Sequence, residues 1–327
     1  MTGKYDIEIY NKRVHYHLNI KRNITIIQGN SATGKTELLR MISDYENNGI
    51  SSGITQICEK KCVVLENASW KDRLAMLRQC IVFIDEGASF LRSMEFARMI
   101  KGSDNYFVLV TRESLEHLPY SIEEIYGMRQ ERDSQKYKNA RKIYNEIYQM
   151  YNLQTSENIQ PDQVITEDSN SGYEFYRKLF GEVCCSAGGK SNILSYLKKS
   201  QAKEILAIVD GAAFGPEMQS VMQYVKDVNK KIVLYAPESF EYLLLRANVI
   251  DKTSDVTDRT YESADSRRYF SWEEFYTSYL IEQSHDTIYE YSKRHLKQTY
   301  LTSGNLKKIL RQLPEQISDK YNTSSCD

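Results

Sequence analysis

The chain has almost no net charge: 43 Lys and Arg stand against 44 Asp and Glu, a formal balance of −1. That excludes a global attraction to nucleic acid or to an anionic membrane, so any such binding must come from local patches. No apolar run approaches the ~18 residues of a membrane span. The N-terminus, Met-Thr-Gly-Lys-Tyr-Asp, lacks the charged-then-apolar pattern of a signal peptide. We therefore expect a cytoplasmic protein with no membrane partner. Histidine is scarce: the five are scattered, and His15 and His17 share one strand face with no third ligand in sight. Of the six cysteines, Cys62, Cys80, Cys184 and Cys185 lie in or beside apolar strand-like runs, where a thiol acts as a small hydrophobe. Cys58 and Cys62 offer half a metal-site spacing, but no matching Cys/His pair follows. Internal repeats and low-complexity segments are absent.

What remains is a folded-protein composition, 41% hydrophobic and 27% charged, in a chain of 327 residues that suits two domains and a tail. Up to about residue 130, short apolar runs alternate with helical periodicity, which predicts an α/β layer with a mostly parallel sheet. The runs are continuous rather than alternating, as in strands buried on both faces. Expected strands are Asp6–Tyr10, Val14–Leu18, Ile24–Ile27, Cys62–Leu65, Ile81–Ile84 and Tyr106–Val110. Residues 131–160 read as a charged helical linker: Arg129–Lys142 has no apolar face, and Ile143–Tyr151 is amphipathic. A second alternating series over residues 161–250 predicts a smaller α/β domain. Residues 251–327 read as a helical C-terminal region.

Residues 29–36 spell Gly29-Asn30-Ser31-Ala32-Thr33-Gly34-Lys35-Thr36, the full G-x-x-x-x-G-K-T pattern of a phosphate-binding loop. An apolar strand precedes it and a helical run follows, as the chemistry needs. The glycines let backbone N–H groups curl round a phosphate, Lys35 reaches the β- and γ-phosphates, and Thr36 offers a hydroxyl to Mg²⁺. Cys80-Ile-Val-Phe-Ile-Asp85-Glu86 is a second apolar strand, ending in two acids. Asp85 is placed to hold Mg²⁺ through water, and Glu86 to polarise the attacking water. With one strand inserted between, this resembles the additional-strand, catalytic-glutamate division of P-loop NTPases. In that division a polar residue at the end of the next strand senses the γ-phosphate, which points to Thr111. Arg112 reaches the phosphates or acts as a finger across a dimer; alternatively, both Thr111 and Arg112 are a solvated strand end. No L-S-G-G-Q-like segment precedes the Asp85 strand, which argues against an ABC-type ATPase. No N-K-x-D tetrapeptide follows, which favours ATP over GTP.

In the second series, Glu167 follows a strand, Gly188-Gly189 follows the next, Asp210 ends the third and Glu241 follows the fourth. In a parallel sheet these ends converge, so Glu167 and Asp210 are expected to share a divalent metal. The order resembles the Toprim (Rossmann-like) domain of topoisomerases, primases and, most of all, the overcoming-lysogenisation-defect nucleases, in which an NTPase domain precedes a Toprim domain. The resemblance implies metal-dependent phosphodiester chemistry on DNA or RNA and a role in defence against mobile elements or phage. It departs at one position: the second aspartate of the family's D-x-D falls on Ala212.

The expected protein is thus an ATP- and Mg²⁺-dependent NTPase joined to a Toprim-like nuclease and forming a homo-oligomer. Its catalytic residues are expected to be Lys35, Glu86, Glu167 and Asp210, with metal at Thr36, Asp85, Glu167 and Asp210. The alternative is an ATP-controlled switch whose Toprim-like domain has lost its chemistry. A nucleotide or small-molecule kinase ranks below both. The basic runs Lys293–Lys297 and Lys307–Arg311 read as a helical tail with a solvated face or, alternatively, a phosphate contact.

Overall fold

Asn11 turns the chain back on itself near its start. Its Oδ1 accepts the N–H groups of Arg13 and Val14 at 2.8 and 2.9 Å, closing an antiparallel hairpin of β1 (Tyr5–Tyr10) and β2 (Val14–Ile20). The computed structural model describes residues 1–29, 34–131, 142–153 and 158–317. They divide into two units, residues 1–151 with 261–271, and residues 152–260 with 272–327.

In the first unit the hairpin is followed by β3 (Ile24–Ile27), α1 (Lys35–Asn48), β4 (Thr55–Ile57) and β5 (Lys61–Val64). Then come α2 (Trp70–Met76), β6 (Cys80–Ile84), α3 (Met94–Ile100), β7 (Tyr106–Val110), β8 (Ile125–Glu131) and β9 (Ile143–Gln149). The strands join in one sheet in the order β4-β1-β2-β9-β8-β3-β7-β6-β5. From β8 to β5 every pairing is parallel. β3, β6 and β7 are buried at every residue, as their unbroken apolar runs require. The two faces of β7 show why. Tyr106, Val108 and Val110 join Leu38, Met41 and Ile42 of α1 in one core with the inward residues of β1 and β2. Phe107, on the other face, meets Phe96 of α3 edge-on at 6.2 Å between ring centres.

The second unit holds β10 (Gln163–Thr166), α4 (Ser171–Phe180), β11 (Cys184–Ser186) and α5 (Ile193–Lys199). β12 (Glu204–Ile208), α6 (Met218–Asp227), β13 (Lys231–Tyr235) and α7 (Phe240–Arg246) follow. Its sheet is parallel, in the order β11-β10-β12-β13. The chain thus builds outward from β10 to both sides, and the ends of β10 and β12 flank the point of reversal. Helices α8 (Asp255–Asp258), α9 (Thr260–Ser263), α10 (Trp272–Ser284) and α11 (Ser303–Leu310) come after in the chain, α9 passing at Tyr261 into the first unit.

The mixed α/β class stands, with three corrections. The expected linker helix over Ile143–Tyr151 is instead strand β9, paired with both β8 and β2. Ile143 and Ile147 are four apart, a spacing that puts two residues on one face of either a helix or a strand. Pairing decides between them, since Ile147 lies opposite Met128 and packs against the core. The preceding charged stretch, residues 132–141, lies outside the described residues. Second, the C-terminal region is not one tail. Residues 261–271 return to the first unit, where the Met1 ammonium reaches Asp265 at 2.8 Å and Ser266 Oγ at 2.9 Å. Third, Lys293–Lys297 is not helical: Lys293 and Arg294 form a turn closed by an isolated bridge between Ser292 and His295. Lys307 and Lys308 do lie on a helix, α11, and are exposed. No helix among the described residues is long and apolar enough to cross a membrane.

Ile42 of α1 is wholly buried in the shared core. Ile42→Ala should lower unfolding free energy in urea by about 2–5 kcal/mol, the range for a large-to-small change in a buried core.

Candidate functional site

Parallel pairing brings three strand ends of the first unit to one edge. Ile27 of β3 lies opposite Val110 of β7, and Ile84 of β6 opposite Leu109. The residues that follow, Gly29, Thr111 and Asp85, therefore emerge side by side. Gly29 and Gly34 have φ of 135° and 92°, in the region that favours glycine. At Gly34 a side chain is excluded twice, because a Cβ there would lie 2.9 Å from the Tyr16 hydroxyl. That hydroxyl donates to the Gly34 carbonyl at 2.8 Å. Lys35 is 6% exposed, and its Nζ donates to the Gly29 carbonyl at 2.7 Å. Burial holds the Lys35 ammonium below its ordinary pKa; Arg112 adds to this, and Glu86 and Asp85 oppose it. Lys35 therefore lies within electrostatic reach of both predicted acids. Thr36 is exposed at the first turn of α1. Asn30, Ser31, Ala32 and Thr33 lie outside the described residues.

Two side chains at this edge are engaged in ways the sequence did not indicate. Arg112 Nε lies 3.0 Å from Glu86 Oε2. The Thr111 hydroxyl donates to the Glu113 carbonyl at 2.9 Å and accepts the Glu113 N–H at 3.1 Å, so it ties off the strand end. Sequence reasoning missed Tyr16, and also Asn145. Asn145 is buried on β9, and its Oδ1, which has no hydrogen-bond partner among the described residues, lies 3.5 Å from where a Gly34 Cβ would be. Reading β9 as a helix hid Asn145.

The second unit gathers its acids at the reversal point of its sheet. Glu167 follows β10 and its Oε2 accepts the Asp210 N–H at 3.0 Å. The Gly188-Gly189 turn comes alongside, with the Gly189 N–H donating to the Glu167 carbonyl at 2.8 Å. Asp168 accepts the N–H groups of Asn170 and, at 3.2 Å, Gly172, capping the start of α4. Gly172 is required there, since a Cβ would come within 2.8 Å of Asp168 Oδ2. Phe175, Tyr176 and Phe240 pack together beneath these groups. Tyr176 lines a small cavity with Glu167, Asp168 and Asp210, and its buried hydroxyl has no hydrogen-bond partner.

Three further residues belong to this centre. Glu241, 2% exposed, accepts a hydrogen bond from the Tyr291 hydroxyl at 2.9 Å, and Tyr291 in turn meets Ser171 Oγ at 2.6 Å. Glu273, which sequence reasoning passed over, and Lys293, which it read only as part of a basic tail, form a 2.7 Å ion pair. No short motif marks them; they arrive from α10 and from the turn segment after it. Ala212 is buried, with its N–H on the Glu238 carbonyl at 3.0 Å, so the position of the missing aspartate holds a methyl group in the interior.

The electrostatics follow from crowding. Burial pushes the Glu167 carboxyl up to about 7; the Asp210 N–H opposes this and the charge of Glu273 adds to it. Burial, then Glu273, Glu167 and Glu241, push Asp210 well above the usual carboxylate range, against Lys293. Asp168 is raised by burial and by Glu241, against the Asn170 N–H and Lys293. Burial works against the Lys293 charge, but Glu273, Glu241 and Asp210 outweigh it and raise its pKa.

A divalent ion does not fit this arrangement as it stands. Among the described residues no three His, Cys, Asp or Glu side chains are grouped to hold one. The compensating positive charge is already supplied by an ammonium. Compared with known proteins, the chain matches no protein-family model, no curated protein and no solved structure.

A carboxyl with a raised folded pKa binds its proton more tightly when folded, so ionising it subtracts from stability. For Glu167 that loss is absent below its ordinary 4.5 and complete above about 7. Thermal stability of the wild type should fall across that interval, with Asp210 and Asp168 contributing in the same direction. Glu167→Gln should flatten the fall. Melting curves of both proteins at the two ends of the interval check this, and parallel pH profiles would contradict it.

Proposed function

We propose that this chain binds and hydrolyses ATP at the loop between β3 and α1, and that its second unit is a Toprim-like module controlled by that cycle. The observation that carries the first half is the common edge of β3, β7 and β6. Strand β7 lies between the phosphate-loop strand and the Asp85-Glu86 strand. The strand inserted in sequence, β5, lies instead at the sheet edge beside β6, and it is the shared edge that sets Gly29, Thr111 and Asp85 side by side. Lys35 would orient the β- and γ-phosphates. Thr36 and Asp85, both solvent-accessible at that edge, fit Mg²⁺, which when bound neutralises charge on the phosphates. Glu86 would take the proton of the attacking water once Arg112 leaves it for the nucleotide.

For the second unit, two observations favour a switch over a nuclease: buried Ala212 in place of an aspartate, and Lys293 among the acids. ATP binding would bring copies of the chain together and alter what the second unit presents. DNA or RNA remains the class of partner that the resemblance implies, in a role of defence against mobile elements.

Lys35→Ala should abolish nucleotide binding with the fold intact. Glu86→Gln should keep binding while hydrolysis drops about 10²–10⁴-fold, the usual worth of a positioned general base. Fluorescent-nucleotide binding and phosphate release measure the two. Hydrolysis by Lys35→Ala at the wild-type rate would remove the site from this loop. Plasmid DNA and total RNA incubated with Mn²⁺ or Mg²⁺, with and without ATP, should stay intact. Cleavage lost in Asp210→Ala would restore the nuclease reading.

A further inference from the structure

The segment that carries Lys293 is strapped across the acidic centre by contacts at several points. The Lys293 carbonyl accepts the Ser171 N–H at 3.0 Å, at the start of α4. The Leu296 N–H donates to Glu174 Oε2 at 2.7 Å, and His295 Nδ1 lies 3.0 Å from Glu174 Oε1. On the other side Tyr291 bridges Ser171 and Glu241. Backbone and side chains together thus fix where the Lys293 ammonium can reach, and it reaches Glu273 Oε1 at 2.7 Å. Its charge acts on Asp168, Asp210 and Glu241 as well. One carboxylate, Glu273, is thus in contact with a cation supplied by the chain itself, and three more from three other segments lie within its electrostatic reach. A second, independent feature marks the place as built to hold a group. The unpartnered Tyr176 hydroxyl is buried at 3% exposure in the cavity beside Asp168 and Asp210.

We propose that Lys293 is the resident cation of this centre, standing in for the divalent ion that such a set of acids would otherwise require. An ammonium carries one charge and three donors and imposes no octahedral geometry. It can therefore hold carboxylates that, while it is present, are not drawn together round a metal. The missing acid at Ala212 and the added lysine are then two halves of one change: fewer ligands, and a cation that needs fewer. The Lys293 side chain is 37% exposed and that of Glu273 23%, so the centre is open enough for an ion to enter if the ammonium is removed. The inference rests on the Toprim-like reading of the second unit. Mn²⁺ binding reports on it whether or not ATP is hydrolysed or nucleic acid is cut, so the two can fail separately.

The test is a Mn²⁺ titration of the full chain without nucleotide, following the free-ion signal by electron paramagnetic resonance. Wild type and Lys293→Arg should show no binding that depends on Asp210. Lys293→Gln should gain one site, about tenfold or more tighter than any wild-type binding, and lose it when combined with Asp210→Asn. Mn²⁺ should also raise the melting temperature of Lys293→Gln and leave that of wild type unmoved. If folded Lys293→Gln gains no site, the proposal is overturned. If Lys293→Gln does not fold, wild type beside Asp210→Asn still decides. Mn²⁺ binding by wild type that Asp210→Asn removes would show that the ammonium does not replace a metal, and its absence supports the proposal.

Discussion

Two edge strands joined by three residues set the form of the first unit. Strand β4 ends at Ile57 and β5 begins at Lys61, yet they stand at opposite ends of a nine-stranded sheet. Laid flat, nine strands at ~4.8 Å spacing would put those edges roughly 38 Å apart. The connection from Ile57 to Lys61 spans at most about 14 Å. The sheet must therefore curl until its edges approach, and a curled sheet needs something inside it. The apolar face of α1 supplies that filling, against inward residues from both ends of the sheet. The same helix begins at Lys35, so the element that satisfies the curl also presents the end of the Gly29–Thr36 segment. Tyr16 makes the link direct: its ring lies in the core and its hydroxyl holds the Gly34 carbonyl.

Both units place acids at the C-terminal ends of parallel strands, and they treat them differently. In the first, Asp85 and Glu86 remain accessible, and the nearby cations Lys35 and Arg112 each have an internal partner, Gly29 and Glu86. The Arg112–Glu86 pair is easily parted, because it sits at a surface where water lowers the penalty, whereas Lys35 is buried. In the second, the acids are more deeply buried over an aromatic floor, and desolvation is the largest influence on each of Glu167, Asp168 and Asp210. Charge there must be compensated from within or given up to protonation. Lys293 does the first in part, and the raised carboxyls register the remainder.

The sequence by itself determined the local grammar. Unbroken apolar runs gave β3, β6 and β7, and their burial on both faces follows from composition alone. The Gly-bounded pattern from Gly29 to Thr36 placed a turn between a strand and a helix, and β3 and α1 flank it, with positive φ at Gly29 and Gly34. Glu167, Gly188-Gly189 and Asp210 were legible because parallel strands bring consecutive ends together whatever lies between. Tertiary structure decided everything that depended on which strands pair. Ile143 and Ile147 satisfy a helix and a strand equally, and only Met128 across the ladder chose the strand. With β9 came Asn145 beside Gly34, out of reach of any local pattern. Lys293 and Glu273 had the same obscurity, since charge compensation acts through space and leaves no period in the chain. Spacing along a sequence encodes what one element does with its own side chains; which cation meets which acid is set by where separate elements come to rest.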